Sequence, residues 1–348
     1  MAGRGARRAT QVLSAVALSA LVVVGTSGAA SPSIHIIEYP VPTASAMPLG
    51  ITPGPDGNVW FTENAKNQVA KITPSGVVTE YPIPTANSEP GVIVLGPDGN
   101  LWFVENAGNK VAKVTPSGTI TEYTFPTAGS KPFGIAAGPD GNLWVTENNN
   151  HEVAKVTPAG SITEYPFGFD STFITAGPDG NLWFTSTSAN EVVKMNTSGA
   201  ILATYPSPTG SMGSPAGLNF ITAGPDGNLW LTETFANQVA KVTTSGAFTE
   251  YPVPTANSEP FGITVGPDQN IWFTEAGASA NNVAEVTTSG AFTEYPIPTA
   301  SSFAVSITVG PDGNIWFTEA SADKVATVTF PTTTAPPAAV VVTPTFTG

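Results

Sequence analysis

Short apolar runs separated by turn-forming residues recur along most of the chain. In the unit that starts at Gly262, apolar runs cover residues 263–265, 271–275, 282–287 and 291–295, and turns or a short loop rich in Gly, Pro, Asn and Ser separate them. Short runs bounded by such residues are typical of β-strands, and turns this dense leave no room for long helices. The pattern therefore predicts four short strands in each unit.

The unit is repeated seven times, as the string GPDGNLWFTE and close variants of it. Its tryptophan recurs at intervals of 39 to 47 residues, at Trp60, Trp102, Trp144, Trp183, Trp230, Trp272 and Trp316. A period near 42 residues with four strands per unit indicates a β-propeller blade. The sequence thus predicts an all-β protein, a seven-bladed β-propeller over residues 31–330. One turn departs from the repeat, because Gln269 replaces a Gly, and we expect a strained or differently shaped turn there.

The two ends of the repeat predict how the ring closes. The outermost strand carries a Glu-Tyr-Pro motif or a variant of it, and the last unit ends near Phe330 without a copy. The missing copy is Glu38-Tyr39-Pro40, which stands before the first unit. We therefore expect the N-terminal strand to pair with the last blade, which closes the circle and removes exposed sheet edges.

Composition and charge narrow the classes of function. The chain has 12 Lys and Arg against 26 Asp and Glu, so nucleic acid and anionic membrane surfaces are not expected as partners. It has no cysteine, so a large core must stabilise it instead of disulfides. Residues 1–30 combine early arginines, an apolar run and small residues, which predicts a signal peptide, with an uncleaved anchor as the alternative. We expect a secreted, extracellular monomer without a membrane span in its mature chain, and a disordered tail over residues 331–348.

Strand direction predicts the face on which a ligand binds. The start of the first strand and the end of the second lie at one end of each blade, around the mouth of a central funnel. The second strands end there at Glu63, Glu105, Glu147, Ser186, Glu233, Glu275 and Glu319. Carboxylates that converge on the axis suit a hard cation such as magnesium or calcium. The alternative is that each Glu is a strand end maintained by the repeat, bonded to backbone or solvated.

The units, of the form ITxGPDGxLWFTE followed by NxVAKVT and PSGxITEYPxPT, resemble those of the streptogramin B lyases, also called virginiamycin B lyases. The resemblance extends from about Ile34 to Phe330. It implies a seven-bladed propeller that opens a cyclic depsipeptide antibiotic at its ester by elimination, with a magnesium ion and a histidine base.

The resemblance carries over to the acids of this chain but not to the histidines. It implies Glu259 and Glu275 as the metal-linked pair, with Mg²⁺ as the cofactor, and Phe261 occupies the histidine position between them. The same position holds no His in any blade, and neither Phe nor Asn can act as a base near neutral pH. His151, in a loop of blade three, is the remaining candidate base. We take Phe261, Asn219 and Glu233 as candidate substrate-binding residues.

Three functions stay open on these residues. The first is a lyase-family propeller whose activity is weak or lost, or whose base is a buried carboxylate with a raised pKa. The second is a non-catalytic extracellular propeller whose funnel takes up a small molecule, a peptide or a protein loop. The third is a lactonase-like hydrolase with a calcium ion on the axis, a family in which six blades are expected. We expect specificity in the irregular blades four and five, around residues 167–170 and 210–220.

Overall fold

The computed structural model describes residues 34–211 and 214–330. Over these residues the chain forms seven four-stranded antiparallel sheets, and this confirms the predicted seven-bladed propeller. The predicted signal peptide (residues 1–30) and tail (331–348) lie outside the described residues. In the part of the chain that the structure describes, no helix is long and apolar enough to span a membrane.

Each blade takes its four strands from consecutive segments, except that the first strand of the chain belongs to the last blade. Strand β1 (His35–Pro40) is followed by blade one, with β2 (Pro48–Pro53), β3 (Val59–Glu63), β4 (Gln68–Ile72) and β5 (Val78–Pro82). Blade two contains β6 (Pro90–Leu95), β7 (Leu101–Glu105), β8 (Lys110–Val114) and β9 (Ile120–Thr124), and blade three contains β10 (Pro132–Ala137), β11 (Leu143–Glu147), β12 (Glu152–Val156) and β13 (Ile162–Pro166). Blade four contains β14 (Ile174–Ala176), β15 (Leu182–Ser186), β16 (Glu191–Met195) and β17 (Ile201–Pro206). A two-stranded hairpin of β18 (Gly210–Ser211) and β19 (Ser214–Pro215) follows; then in blade five β20 (Leu218–Ala223), β21 (Leu229–Glu233), β22 (Gln238–Val242) and β23 (Phe248–Pro252); in blade six β24 (Pro260–Val265), β25 (Ile271–Glu275), β26 (Asn282–Val286) and β27 (Phe292–Pro296); and in blade seven β28 (Ala304–Val309), β29 (Ile315–Glu319) and β30 (Lys324–Thr329). One 3₁₀ turn, Asn64–Lys66, follows β3.

Burial changes from strand to strand across a blade. The second strand is buried at every position in all seven blades, as in β3 and β11, because neighbouring blades cover both of its faces. The outer strand, as in β5, has no fully buried position, and Thr79 and Pro82 are exposed. The core therefore lies between blades and consists of seven apolar clusters, one for each contact between neighbours.

A recurring polar group holds the repeated tryptophan inside this core. In blade two, the Trp102 indole donates to Asp98 Oδ1 of the turn at 3.0 Å and stacks on Tyr123 with ring centroids 5.5 Å apart. The ammonium of Lys113 lies 5.1 Å from the Trp102 ring centroid and 3.6 Å from the Asp98 carboxylate. The Asp of each Pro-Asp turn is thus a structural residue that satisfies a buried indole N–H.

Outer-strand glutamates tie six of the blades to the segment that connects each of them to the preceding blade. Glu122 accepts hydrogen bonds from the backbone N–H and hydroxyl of Thr85 at 2.8 and 2.9 Å, and the same pair of bonds recurs in five other places. One of them closes the ring: Glu38 on β1 accepts from Thr299 at 2.8 and 2.7 Å, and β1 pairs with β30 from His35 to Pro40. The predicted closure is confirmed.

The turn at Gln269 has the same hydrogen bond as the other turns, but the backbone of Gln269 is strained. Its N–H donates to the Gly266 carbonyl at 3.1 Å, as Gly99 does to Gly96, but φ of Gln269 is +65°. A side chain in this left-handed region costs about 1–2 kcal/mol. Of the two predicted alternatives, the structure supports the strained turn and not the differently shaped one.

We expect Gln269→Gly to raise the free energy of unfolding by about 1 kcal/mol, because glycine adopts this backbone without strain. The reverse change, Gly227→Gln in blade five, is the matched control: φ is +74° and nothing lies near the added Cβ, so a loss of similar size is expected. Denaturant unfolding of the two variants measures both values. Changes of the same sign in the two variants would contradict the argument.

Candidate functional site

The mouth of the funnel is an apolar cavity on the propeller axis. It has a volume of about 300 Å³ and opens to solvent on the face where the first strands begin. Five phenylalanines line it, and they are Phe133, Phe173, Phe220, Phe261 and Phe303. Among the described residues Glu89 is the only carboxylate residue that lines it, and Asn64, Asn106 and Ser306 add polar atoms. A wall of this kind suits an apolar ligand with few polar groups.

Backbone contacts between blades position this wall. The hydroxyl of Thr232 donates at 2.6 Å to the carbonyl of Phe261, and in blade one Thr62 donates at 2.7 Å to the carbonyl of Gly91. Equivalent bonds hold the residues at the corresponding positions of other blades, so six of the seven second strands fix the start of the next blade's first strand; blade two has Val104 in place of the Thr. The wall is therefore built on rigid strands rather than on loops.

Blades four and five differ from the others at the position next to these residues. Blades one, three and six have Gly there, and a Cβ on Gly50, Gly134 or Gly262 would stand within 2.5 Å of a carbonyl of the next blade. Blades four and five have Phe173 and Phe220 instead, whose rings stack with centroids 3.6 Å apart. The irregular blades thus place two aromatic rings at a position where the other two blades without Gly have only Val92 and Ser306.

These two rings, together with Val92, divide the axial channel. All three residues line the funnel and also a second cavity of about 190 Å³ on the other side of them. The second cavity is lined mainly by Ile, Val and Thr of the first strands. The funnel therefore has a floor of Val92, Phe173 and Phe220.

The acids that end the second strands do not line the funnel. Glu63, Glu105, Glu147, Glu233, Glu275 and Glu319 are completely buried, and the predicted carboxylate ring at the funnel mouth is wrong. Successive residues of a strand point to opposite faces, and Thr62 already faces the following blade, so Glu63 points towards the preceding one. Burial raises the pKa of Glu63 to about 8, and the charges of Glu80 and Asp323 add to the effect.

The three candidate substrate-binding residues occupy different environments. Phe261 lies in the cavity wall. Asn219 donates through Nδ2 to the Thr234 hydroxyl at 3.2 Å, and its neighbour Phe220 takes the place in the wall. Glu233 is enclosed and accepts a hydrogen bond from Ser207 at 2.9 Å, so contact between Glu233 and a funnel ligand stays a prediction that this geometry does not favour.

The candidate metal ligands lie close along the backbone, because Glu259 directly precedes β24 and Glu275 ends β25 opposite Pro260, but their side chains have opposite exposure. Glu259 is exposed, with a left-handed φ of +49°, and its carbonyl accepts from the Ala276 N–H at 3.2 Å. The Glu275 carboxylate is buried; Oε2 accepts from Asn282 at 2.8 Å and Oε1 has no partner. Burial raises the pKa of Glu275 to about 8.

His151, the candidate base, occupies a structural turn. It is exposed, its φ is +58°, and it takes the place that Asn67 and Asn109 fill in blades one and two. Those asparagines bridge backbone groups to Ser88 and Ser130, a role suited to the left-handed conformation. His151 is not among the residues that line the funnel.

Sequence reasoning missed most of the aromatic wall. It compared one position at the start of each first strand, which identifies Phe133 and Phe261 but not Phe173 and Phe220 at the following position. The signal was present, since those two phenylalanines stand at a position where the other five blades have only Gly, Val or Ser. Asp170, at the position of blade four that corresponds to Glu259, accepts hydrogen bonds from Ser186 and Ser188.

Fold and site together define a seven-bladed propeller with an apolar binding cavity at one end of its axis. The sequence matches the virginiamycin B lyase family over residues 34–219 and 170–337, and the chain belongs to this family. Its structure is similar to that of virginiamycin B lyase from Staphylococcus aureus, with 36% identity, 86% of this chain and 100% of that chain covered, and a TM-score of 0.80. A streptogramin B lyase structure matches with 34% identity over 85% of this chain and 97% of that chain, with a TM-score of 0.79. A catalytically inactive histidine-to-alanine variant of the S. aureus enzyme with quinupristin matches with 35% identity over 86% and 100% of the chains and a TM-score of 0.79.

Proposed function

We propose that this protein is an exported member of the family that binds an apolar ligand of the cyclic depsipeptide class in its funnel and has little or no lyase activity. The observation that carries the proposal is the wall of five phenylalanines, in which no described residue is a histidine. The family relationship supports the ligand class, because one of the related structures contains quinupristin.

Ring opening by elimination requires a base that removes a proton next to the ester carbonyl. Among the described residues of the wall, Glu89 is the only titratable group, and it is exposed to solvent at the rim. The buried glutamates have pKa values raised to about 7 or 8 by burial, as the base would need, but they are enclosed between blades and do not reach the cavity. His151 lies outside the wall. The geometry thus supports binding better than elimination.

The magnesium ion that the resemblance implies remains a proposal for Glu259 and Glu275. These residues would supply two oxygen donors, which suit a hard cation. The fit is incomplete, because one carboxylate is exposed while the other is enclosed and partly used by Asn282. We therefore assign no step of a reaction to the ion.

The alternative is a working lyase with an unusual base, and the family membership favours it. It would need a side chain that approaches the ligand only when the ligand is bound. The lactonase-like alternative loses its basis, since the second-strand acids do not converge on the axis in the described residues and the ring has seven blades.

The test combines binding and turnover of one ligand. We expect calorimetry with quinupristin to detect binding by the purified protein, and Phe220→Ala to weaken it by about tenfold or more, because the variant loses roughly 1.5–3 kcal/mol of apolar contact. Phe235→Ala is the control: Phe235 is 73% exposed and lies outside the cavity wall, so its loss should leave binding unchanged.

Turnover is followed in the same samples by mass spectrometry with and without Mg²⁺, after chromatographic separation of cyclic and linear forms. We expect no linear product of unchanged mass. Rapid ring opening would establish the lyase alternative, and equal binding by wild type and Phe220→Ala would contradict the assignment of the cavity.

A further inference from the structure

Three carboxylates lie on one face of blade three, away from the funnel wall. Glu147 ends β11 and Glu152, directly opposite, begins β12; Glu164 on the outer strand β13 stands opposite Ala154, on the same face. One oxygen of each carboxylate lies within 4.8 Å of the oxygens of the other two. Because Glu152 and Glu164 are partly exposed, the group is open to solvent on one side.

The innermost of the three carboxylates has unused acceptors. Glu147 is completely buried, and neither of its oxygens has a hydrogen-bond partner. Glu152 Oε2 is also buried without a partner. Glu164 accepts hydrogen bonds from the N–H and hydroxyl of Thr127 at 3.0 and 2.8 Å. Buried carboxylate oxygens without donors are costly unless a proton or a cation accompanies them.

The other blades identify what is unusual at Glu152. Blades two and seven have a lysine at its position, and Lys110 and Lys324 form ion pairs with Glu122 and Glu38 at 2.8 and 2.7 Å. Blades one, five and six have the neutral Gln68, Gln238 and Asn282. Blade three thus replaces a cation by an anion, and the described residues provide no ion pair for any member of its triad.

Blade four shows that an acid at the lysine position does not by itself produce a group of three carboxylates. It also has an acid at the position, Glu191, but Ser186 and Thr204 replace the other two carboxylates. Blade three is therefore the one blade of the described ring that assembles all three acids.

We propose that Glu147, Glu152 and Glu164 form a binding site for a hard divalent cation of the calcium class. The donors are all carboxylate oxygens, the ligands that calcium prefers, at 2.3–2.6 Å from the ion. Two oxygens bound to one such ion lie at most about 5 Å apart, in agreement with the spacing of the triad. The cation would take the place that the lysine ammonium occupies in blades two and seven, and it would fasten the inner and outer strands of blade three. Since this site lies in blade three, it is separate from the pair Glu259 and Glu275 of blade six.

The test is calcium binding by the purified full chain, with CaCl₂ as the only probe. We expect calorimetry to give a Kd in the range of about 10⁻⁴–10⁻³ M that is typical of extracellular calcium modules, and calcium to raise the melting temperature. Glu152→Gln should weaken the Kd by about tenfold or more. Glu191→Gln, which removes a carboxylate at the same position of blade four, is the matched control and should bind calcium like wild type.

A second variant keeps the result interpretable if Glu152→Gln folds poorly. Glu152→Lys reproduces the arrangement of blades two and seven, so it should fold, melt at a higher temperature than wild type without calcium, and show no calcium response. Two outcomes would overturn the proposal: wild type without a calcium response, which would mean that protons alone satisfy the triad, or Glu152→Lys with the calcium affinity of wild type.

Discussion

Deletion of residues 34–41 is expected to lower the melting temperature by roughly 10 °C or more, because it removes the strand that closes the ring. Strand β1 contributes six paired positions along β30, and Tyr39 stacks on Trp316 with ring centroids 5.7 Å apart. Glu38 receives two hydrogen bonds from Thr299 and an ion pair from Lys324 at 2.7 Å. Loss of these contacts costs about 6 kcal/mol or more. For a domain of this size, that lowers the melting temperature by roughly 10 °C or more.

The deletion also creates an exposed strand edge on β30, which favours aggregation. Thermal melts by circular dichroism, with light scattering in parallel, measure both effects. An unchanged melting temperature would contradict the closure role.

A circular permutant provides the control for the deletion. In the permutant, the chain begins near Val41. Residues 34–40 follow Thr329 at its C-terminal end and are connected to it by a Thr-Ser-Gly turn of the kind that precedes β27. Blade seven then has four consecutive strands, as the other blades have. We expect the permutant to recover most of the lost melting temperature. If it melts as low as the deletion, the strand contributes something other than closure of blade seven.

The architecture could be predicted because each blade carries its own signals. The interval between tryptophans indicates a propeller blade, and their number gives the number of blades. The position of Glu38-Tyr39-Pro40 before the first unit predicts the pairing of β1 with β30 that closes the ring. These signals are local or repeat at a constant interval, and a displaced copy of a motif indicates a pairing between distant parts of the chain.

The site could be predicted only in part, because it depends on which of two covered faces a side chain points to. The end of each second strand was placed on the correct side of the ring, yet Glu63 points into the contact between blades and not into the funnel. In an isolated sheet, alternation separates a buried face from an exposed one, but in β3 both faces are buried. Phe173 and Phe220 escaped notice for a related reason, since their effect arises from stacking across two blades.

Buried glutamates also predict an unusual dependence of stability on pH. The six enclosed acids have pKa values raised to about 7 or 8, mainly by burial. An ordinary glutamate of the unfolded chain loses its proton near pH 4.5, whereas these keep theirs in the folded protein. Between those values the folded state binds more protons than the unfolded state, so the free energy of unfolding falls as pH rises. We therefore expect the protein to be more stable at pH 5 than at pH 9.

Glu63→Gln tests this dependence at one residue, since glutamine matches the shape of the protonated acid and never ionises. Wild type and variant should have similar stability at pH 5, and at pH 9 the variant should be more stable by up to about 5 kcal/mol, the free energy that corresponds to a pKa raised from 4.5 to about 8. Asp98→Asn is a control of opposite sign: burial alone would raise the pKa of Asp98, but hydrogen bonds from Trp102 and Asn100 lower it below the usual range. The ordinary pKa of Asp98 is 3.8 and folding lowers it, so Asp98→Asn should destabilise the protein by a constant amount from pH 5 to pH 9, and this loss should fade only below about pH 4. Denaturant unfolding of the three proteins from pH 5 to pH 9 measures these differences, and a gap between wild type and Glu63→Gln that stays constant with pH would mean that Glu63 is not protonated in the folded protein.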